Sequence, residues 1–214
     1  DQNDIRRHVN VFVDGENVRY TQGAVTPVSN DAEIWIYPAL SGGSQNSGAA
    51  YVRDKNMNTA NADPIGPSDR VLVIERIFDA PRDLVFKAWT EPERQAQWLG
   101  PRGFTTISCE MDARPGGDYR FHMRSPQGVD LWIRGVHREV VAPRLLVRTF
   151  SWRDSEGNLI RPPETILTVT LEEYRGKTKL TLHQATFASA ADRDDHNQGW
   201  NSSLDSLSEY LATA

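Results

Sequence analysis

Between Phe104 and Phe187 the chain runs through six strand-like segments in succession and then closes with one long amphipathic helix. Few folds accept that order. The segments 104–113, 117–124, 129–140, 145–152, 165–174 and 178–187 are separated by "RPGGD", "SPQG", "DSEGN" and "YRGK", clusters of the residues that turn a chain back on itself. The closing segment, "SAADRDDHNQGWNSSLDSLSEYLATA", spaces Trp200, Leu204, Leu207 and Leu211 by four, three and four, which is one stripe along a helix. That stripe must cover something, and the sheet is the large surface available. Upstream, "RVLVIERIF" predicts a strand, "DAPRDLVFKAWT" a helix with Asp79 as N-cap and Pro81 in its first turn, and "EPERQAQWLG" a second short helix. Strand, two helices, six strands and a long helix, joined by hairpin-length connections, predict an α+β domain: a curved antiparallel sheet wrapped on the C-terminal helix.

Alternation along the strands proposes which residues face that helix. Ile107, Cys109 and Met111 form one inward set, Tyr119, Phe121 and Met123 a second, Leu167, Val169 and Leu171 a third, and Leu180 and Leu182 a fourth. Core packing accounts for most of such a lining. A ligand cavity requires that some of these residues face open space.

The first third of the chain differs in texture. Residues 1–69 carry five basic and nine acidic residues, whereas 70–214 carry nineteen and twenty. The acidity is therefore N-terminal, and no basic stripe is concentrated anywhere, which argues against nucleic acid as a partner. "HVNVFV" (8–13) and "IWIYPAL" (34–40) read as strands, with "DGEN" as a hairpin turn. Residues 44–69, poor in apolar side chains and punctuated by Gly and Pro, read as a linker with no expected structure. The division expected is 1–43, 44–69 and 70–214. No apolar run reaches the length of a membrane span, and a cytoplasmic location is the default expectation.

"VIERIFDAPRDLVFKAWTEPERQAQWLGPRGF", "CEMDARPGGDYRFHMRSPQG" and "GWNSSLDSLSEYLA", in that order, resemble a bacterial member of the family related to the activator of heat shock protein 90 ATPase. That family belongs to the START-like (SRPBCC) superfamily, and the resemblance covers about 70–213. It implies the helix-grip fold and a hydrophobic cavity between sheet and long helix that takes small apolar molecules or lipids. It also implies that Trp89, Trp98 and Phe104 either close one end of the cavity or anchor the helix pair, that Gly116 and Gly117 form a tight turn, and that Trp200 begins the buried stripe. With Trp200, Leu204 and Leu207 on the helix and Ile107, Met111, Tyr119, Phe121, Met123, Leu167 and Val169 on the sheet, these are the candidate lining residues. No cofactor is implied.

"HVNVFVDGENVRYTQG" followed by "DAEIWIYPALSGG" resembles the C-terminal half of a ThiS/MoaD-type sulfur carrier of the β-grasp fold. The resemblance implies that Gly42 and Gly43 would be a carrier tail, active only once cleaved, since Gly43 is joined to Ser44. The first strand and helix of a β-grasp are missing from 1–43. Met57, opening "MNTANADPIGPSDRVLVIERIF", reads as an ordinary start for the second domain, so a carrier and its neighbour joined in one frame explain the arrangement.

Groups for catalysis or metal binding are sparse. The five histidines, at 8, 122, 137, 183 and 196, lie on different elements, and none of their spacings is that of a metal site. Cys109, the lone cysteine, reads as a small buried hydrophobe or as a reactive thiol. Glu110 and Asp112 fall one out of phase with the inward set. His122 and His183, and Arg120, Arg124, Arg134 and Arg148, recur on alternate positions as an outer face; an arginine turned inward would instead bind an anionic head group such as a fatty-acid carboxylate. Three readings follow: noncatalytic binding of a small hydrophobic molecule or lipid, a stress-response interaction with a protein partner as in the chaperone-activating relatives, or a cavity enzyme of the cyclase or hydrolase kind.

Overall fold

The computed structural model describes residues 70–214 throughout and, before them, the strand backbones at 9–13, 16–17, 34–38 and 50–52. The chain divides into two compact units, Asp1–Val71 and Leu72–Ala214. In the first, β1 (Val9–Val13) pairs antiparallel with β2 (Glu16–Asn17) and with β3 (Ile34–Pro38). In the β1–β2 pair, Phe12 lies opposite Asn17 and Val13 opposite Glu16. A further strand, β4 (Ala50–Val52), pairs with β3. The expected structureless linker thus contains a strand: "AYV" is its one short apolar, β-prone run, and pairing to an existing edge is enough to order it. Gly42, Gly43 and Met57 lie outside the described residues.

The second unit has the helix-grip arrangement. β5 (Val71–Phe78) leads into α1 (Arg82–Thr90) and the single-turn α2 (Pro92–Gln95). Six strands then follow: β6 (Thr105–Met111), β7 (Asp118–Arg124), β8 (Asp130–Val141), β9 (Leu145–Arg153), β10 (Leu159–Tyr174) and β11 (Lys177–Ala185). Their order in the sheet is β5-β11-β10-β9-β8-β7-β6. The helices therefore carry the chain from one edge to the other, and an antiparallel meander brings it back. α3 (Ala190–Leu211) begins at Ser189, whose hydroxyl accepts from the Asp192 N–H, a side-chain N-cap.

Three local expectations are corrected. α1 is capped by Pro81 with no side-chain bond; Asp79 lies too far upstream to reach the first-turn donors. α2 is shorter than "EPERQAQWLG" suggested, because Ala96–Trp98 continue only as turn. β10 starts before its prolines, with register shifts between Leu159 and Arg161 and between Arg161 and Thr165; a bulged stretch tolerates the missing N–H donors of Pro162 and Pro163.

The stripe on α3 behaves as its spacing requires. Trp200, Leu204, Leu207 and Leu211 are all buried, packed into one core with Leu167, Val169, Leu171, Leu180 and Leu182 of the sheet and with Val85, Ala88 and Trp89 of α1. Each fully buried leucine contributes on the order of 2 kcal/mol in transfer from water. Polar anchors fix the orientation: Trp200 Nε1–H donates to Gln184 Oε1 at 2.6 Å, and Gln184 Nε2–H donates to Thr165 Oγ1 at 2.8 Å.

Two glycines are dictated by geometry. Gly116 takes φ +83° in the turn before β7, where an L side chain would be strained. At Gly135 an added Cβ would lie 2.1 Å from Thr149 O and 2.6 Å from Tyr119 Cε1. The missing side chain lets the Tyr119 ring lie against the sheet, with its hydroxyl donating to Thr149 O at 2.6 Å. We expect Gly135→Ala to destabilise the domain by about 2 kcal/mol, within the range for overpacking. Urea unfolding checks this, and an unchanged midpoint would refute the close-approach account.

Candidate functional site

A cavity of about 210 Å³ lies between α3 and one end of the sheet. Its walls come from three places. Leu99, Gly100, Pro101 and Phe104 belong to the segment joining α2 to β6; Met123, Leu131, Ile133, Phe150 and Trp152 are inward positions of β7, β8 and β9; His196, Gly199, Trp200 and Ser203 form one face of α3. Arg161 and Asp195 complete the lining and are paired to each other, Nη2 to Oδ2 at 2.7 Å. Arg161 Nε also approaches Asp192 Oδ1 at 3.6 Å, so the cation on β10 is held by two carboxylates on the first turns of α3.

The polar groups in this wall are committed to one another. Trp152 Nε1–H donates to His196 Nε2 at 2.9 Å, which leaves the imidazole proton on Nδ1, 2.8 Å from Asp192 O. Burial holds the His196 pKa below its ordinary value, with the Asp192 carbonyl and carboxylate opposing. The ring is thus a neutral strut between sheet and helix.

A second cluster lies deeper on the same concave face. Arg148 of β9 is wholly buried, and its cross-strand partners are His137 and Leu167. Its guanidinium carbon stands 4.5 Å from the centroid of the Tyr119 ring, 5.4 Å from Phe121 and 5.5 Å from Trp89. None of its three nitrogens has a hydrogen-bond partner among the described residues. The same holds for both ring nitrogens of His137, both amide atoms of Gln95 and Trp89 Nε1, all of them buried.

Electrostatics follow from this enclosure. Burial lowers the Arg148 pKa, opposed by Tyr119 and Cys109, although an arginine remains charged at neutral pH. Burial pushes the His137 imidazole down to about 4, and the nearby guanidinium adds to the effect. Burial pushes the Cys109 thiol up to about 12, against the pull of Arg148. The Tyr119 hydroxyl is raised by burial as well. Cys109 is therefore a thiol and not a nucleophilic thiolate at neutral pH.

The residues singled out from sequence divide among these places. Phe104, Met123 and Trp200 are in the cavity wall. Tyr119 and Phe121 lie under the Arg148 guanidinium. Trp89 and Trp98 are fully buried, with ring centroids 4.8 Å apart and Trp98 Nε1–H donating to Ala88 O; they tie the helix pair together. Leu167, Val169, Leu204 and Leu207 are closed core, and Met111 packs half-buried against it. Ile107 is 48% exposed: a register shift between Thr106 and Ser108 takes it out of the inward row, and Thr106 faces Met123 in its place.

Arg148 is the other correction. Arg120 and Arg124 are exposed on the outer face, and Arg124 pairs with Asp130 at 2.7 Å, but Arg148 alternates with Phe150 and Leu146 on the inner one. His183 does keep the face opposite Leu182 and Gln184, across from Thr168, but is buried there. Among the described residues, no group of three or more His, Cys, Asp or Glu could hold a metal ion.

Residues 79–212 match the family model described as Activator of Hsp90 ATPase homolog 1-like protein. The chain belongs to this family. No curated protein matches it in sequence. Among solved structures it is similar to a Chromobacterium violaceum protein, at 26% identity and a TM-score of 0.59, over 68% of this chain and 99% of that one. A Rhizobium leguminosarum protein is similar at 26% identity, TM-score 0.58, over 67% and 95%. The AHSA1 protein of Silicibacter pomeroyi, at 24% identity, TM-score 0.60 and coverage of 66% and 97%, shares the fold. Among the described residues, no helix is long and apolar enough to cross a membrane.

The buried imidazole makes stability depend on pH. His137 in the folded domain titrates at about 4, whereas an unfolded histidine titrates near 6.5. Between these values the unfolded chain binds a proton at this residue that the native one refuses, so the stability contributed by His137 falls as pH drops through that window and is constant above it. The loss attributable to His137 amounts to about 3 kcal/mol by linkage. Urea midpoints between neutral pH and pH 4 should decline less steeply, by about one proton, in His137→Gln; an identical slope would overturn the assignment.

Proposed function

We propose that this domain is a noncatalytic binding module for a small hydrophobic molecule, held in the cavity between sheet and α3. The observation that carries the reading is the composition of that cavity: Leu99, Phe104, Met123, Leu131, Ile133, Phe150, Trp152 and Trp200 present apolar surface around about 210 Å³. Affinity would come from removing apolar ligand surface from water, at roughly 25 cal/mol per Å². The volume lies below the roughly 300–1,000 Å³ of sites for drug-sized ligands, which favours a slim or short-chain molecule. Membership in the family supports the reading, and so do the states of the interior groups. Cys109 is held as a thiol, His196 is engaged on both nitrogens, and Asp195 is paired with Arg161, which leaves each poorly suited to act as nucleophile or base.

A protein-interaction role is the second reading. It is favoured by the family description and by Val73 and Ile77, which are 50% and 54% exposed on the edge strand β5. An activator-like partner would be recognised there and not through the cavity.

Gly199 separates the two. It lines the cavity, and a Cβ built on it meets nothing closer than Pro101 Cγ at 3.8 Å. Gly199→Ala should therefore stabilise α3 by about 0.5–1 kcal/mol through helix propensity, read as a raised urea midpoint. Gly199→Leu should fill the cavity and weaken binding of 1-octanol at least about tenfold by calorimetry while the fold persists. Octanol binding left unchanged by Gly199→Leu would remove the cavity reading and leave the surface one.

A further inference from the structure

Arg148 is a permanent positive charge for which no carboxylate among the described residues supplies a counter-charge. Its three nitrogens have no hydrogen-bond partner among the described residues, and the groups that favour its charged form electrostatically are Tyr119 and Cys109. Leaving charged donors unmatched in the interior is costly. Aromatic contacts offset part of that cost, because three rings face the guanidinium. They act on the face of the planar group, whereas its N–H donors project from the edge.

Position connects this charge to the cavity. Phe150, in the cavity wall, and Arg148 are successive inward positions on β9, about 7 Å apart along the strand. On β7, Met123 lines the cavity and Phe121, the next inward residue, lies under Arg148. The partition between them is aromatic: Trp200 belongs to the cavity wall, Trp89 stacks on it at 5.7 Å, and Arg148 lies over the far ring. Trp89 Nε1 and Gln95 add unmatched donors, and Gln95 Oε1 an unmatched acceptor, in the same interior.

We propose that the domain selects an amphipathic carboxylate, whose hydrocarbon chain fills the cavity and whose carboxylate passes the Trp89–Trp200 stack to accept two edge-on hydrogen bonds from Arg148. This rests on the cavity reading above and adds the chemical class of the ligand. A flat, bidentate oxyanion matches the N–H edge of a guanidinium whose face is taken up by the Tyr119 ring. Binding would supply the missing counter-charge in a medium of low dielectric.

The test compares octanoate with 1-octanol at neutral pH, by calorimetry and tryptophan fluorescence, on the full chain. The expected result is that octanoate binds at least about tenfold more tightly than octanol, the equivalent of one charge-assisted hydrogen bond, and shifts the fluorescence that Trp89 and Trp200 contribute. Arg148→Met should abolish the preference while retaining octanol binding; Arg148→Lys should keep part of it. Equal affinity for the two ligands in the unmodified protein, or a preference that survives Arg148→Met, would overturn the proposal while leaving the cavity reading intact. Failure of both ligands to bind would overturn both. Should Arg148→Met not fold, the acid–alcohol comparison in the unmodified protein decides alone. Acetate raising the melting temperature as much as octanoate does would mean that a free small anion is the ligand, and would overturn the amphipathic assignment.

Discussion

Burial of one helix face against a concave sheet is the constraint from which the domain follows. α3 brings Trp200, Leu204, Leu207 and Leu211 to that face, and without it the inner sides of β9, β10 and β11 would be left in water. The sheet must curve to follow a cylinder, and register shifts in β6, β8 and β10 provide local bending of the kind that bulges introduce. Where curved sheet and straight helix diverge, packing is incomplete. The cavity occupies that region, beside the residues that enter α3 and leave α2.

Electrostatics then divide the concave face into two kinds of interior. Near the cavity every polar group has an assigned partner: Trp152 with His196, His196 with Asp192, Arg161 with Asp195. Deeper in the interior, the side chains of Arg148 and His137 on the sheet and Gln95 on α2 have no hydrogen-bond partner among the described residues. The first set ties helix to sheet, whereas the second keeps a charge and donors in the interior without a matched partner among the described residues, the preorganised arrangement that the proposed carboxylate would use.

Much of this was legible in the sequence. The order of elements, the α3 stripe and the inward rows through Phe121, Met123, Leu167, Val169, Leu180 and Leu182 follow from periodicities of two and of four-three-four. Ile107 escaped because one bulge changes the phase of every residue on its far side, and no single-chain pattern announces it. Arg148 was harder. Its segment, "LLVRTFS", is buried on both faces, so alternation carries no information there; the signal present was a charged residue within an apolar run, which an outer-face reading explained equally well. The lining residues Gly199 and Ser203 belong to the α3 face that carries Trp200, but small residues on a helix do not declare whether they face packing or space. In the first 69 residues the strands at 9–13 and 34–38 were visible, and β4 was not, since three residues seldom carry a pattern.

The sheet order also has a consequence for how the domain comes into being. β5, the first strand of this unit, lies beside β11, the last, and the whole of α1 through β10 intervenes between them in the chain. Closing that pair means bringing together segments about a hundred residues apart, the kind of nonlocal pairing that slows folding. During synthesis, β6 to β10 can begin to pair as they emerge, since each neighbours its predecessor. The first strand, however, has no neighbour until β11 is made, and the concave face has no cover until α3 follows. The domain is thus committed late, by its final residues, and a chain interrupted before Ala190 would expose the apolar rows that α3 otherwise covers.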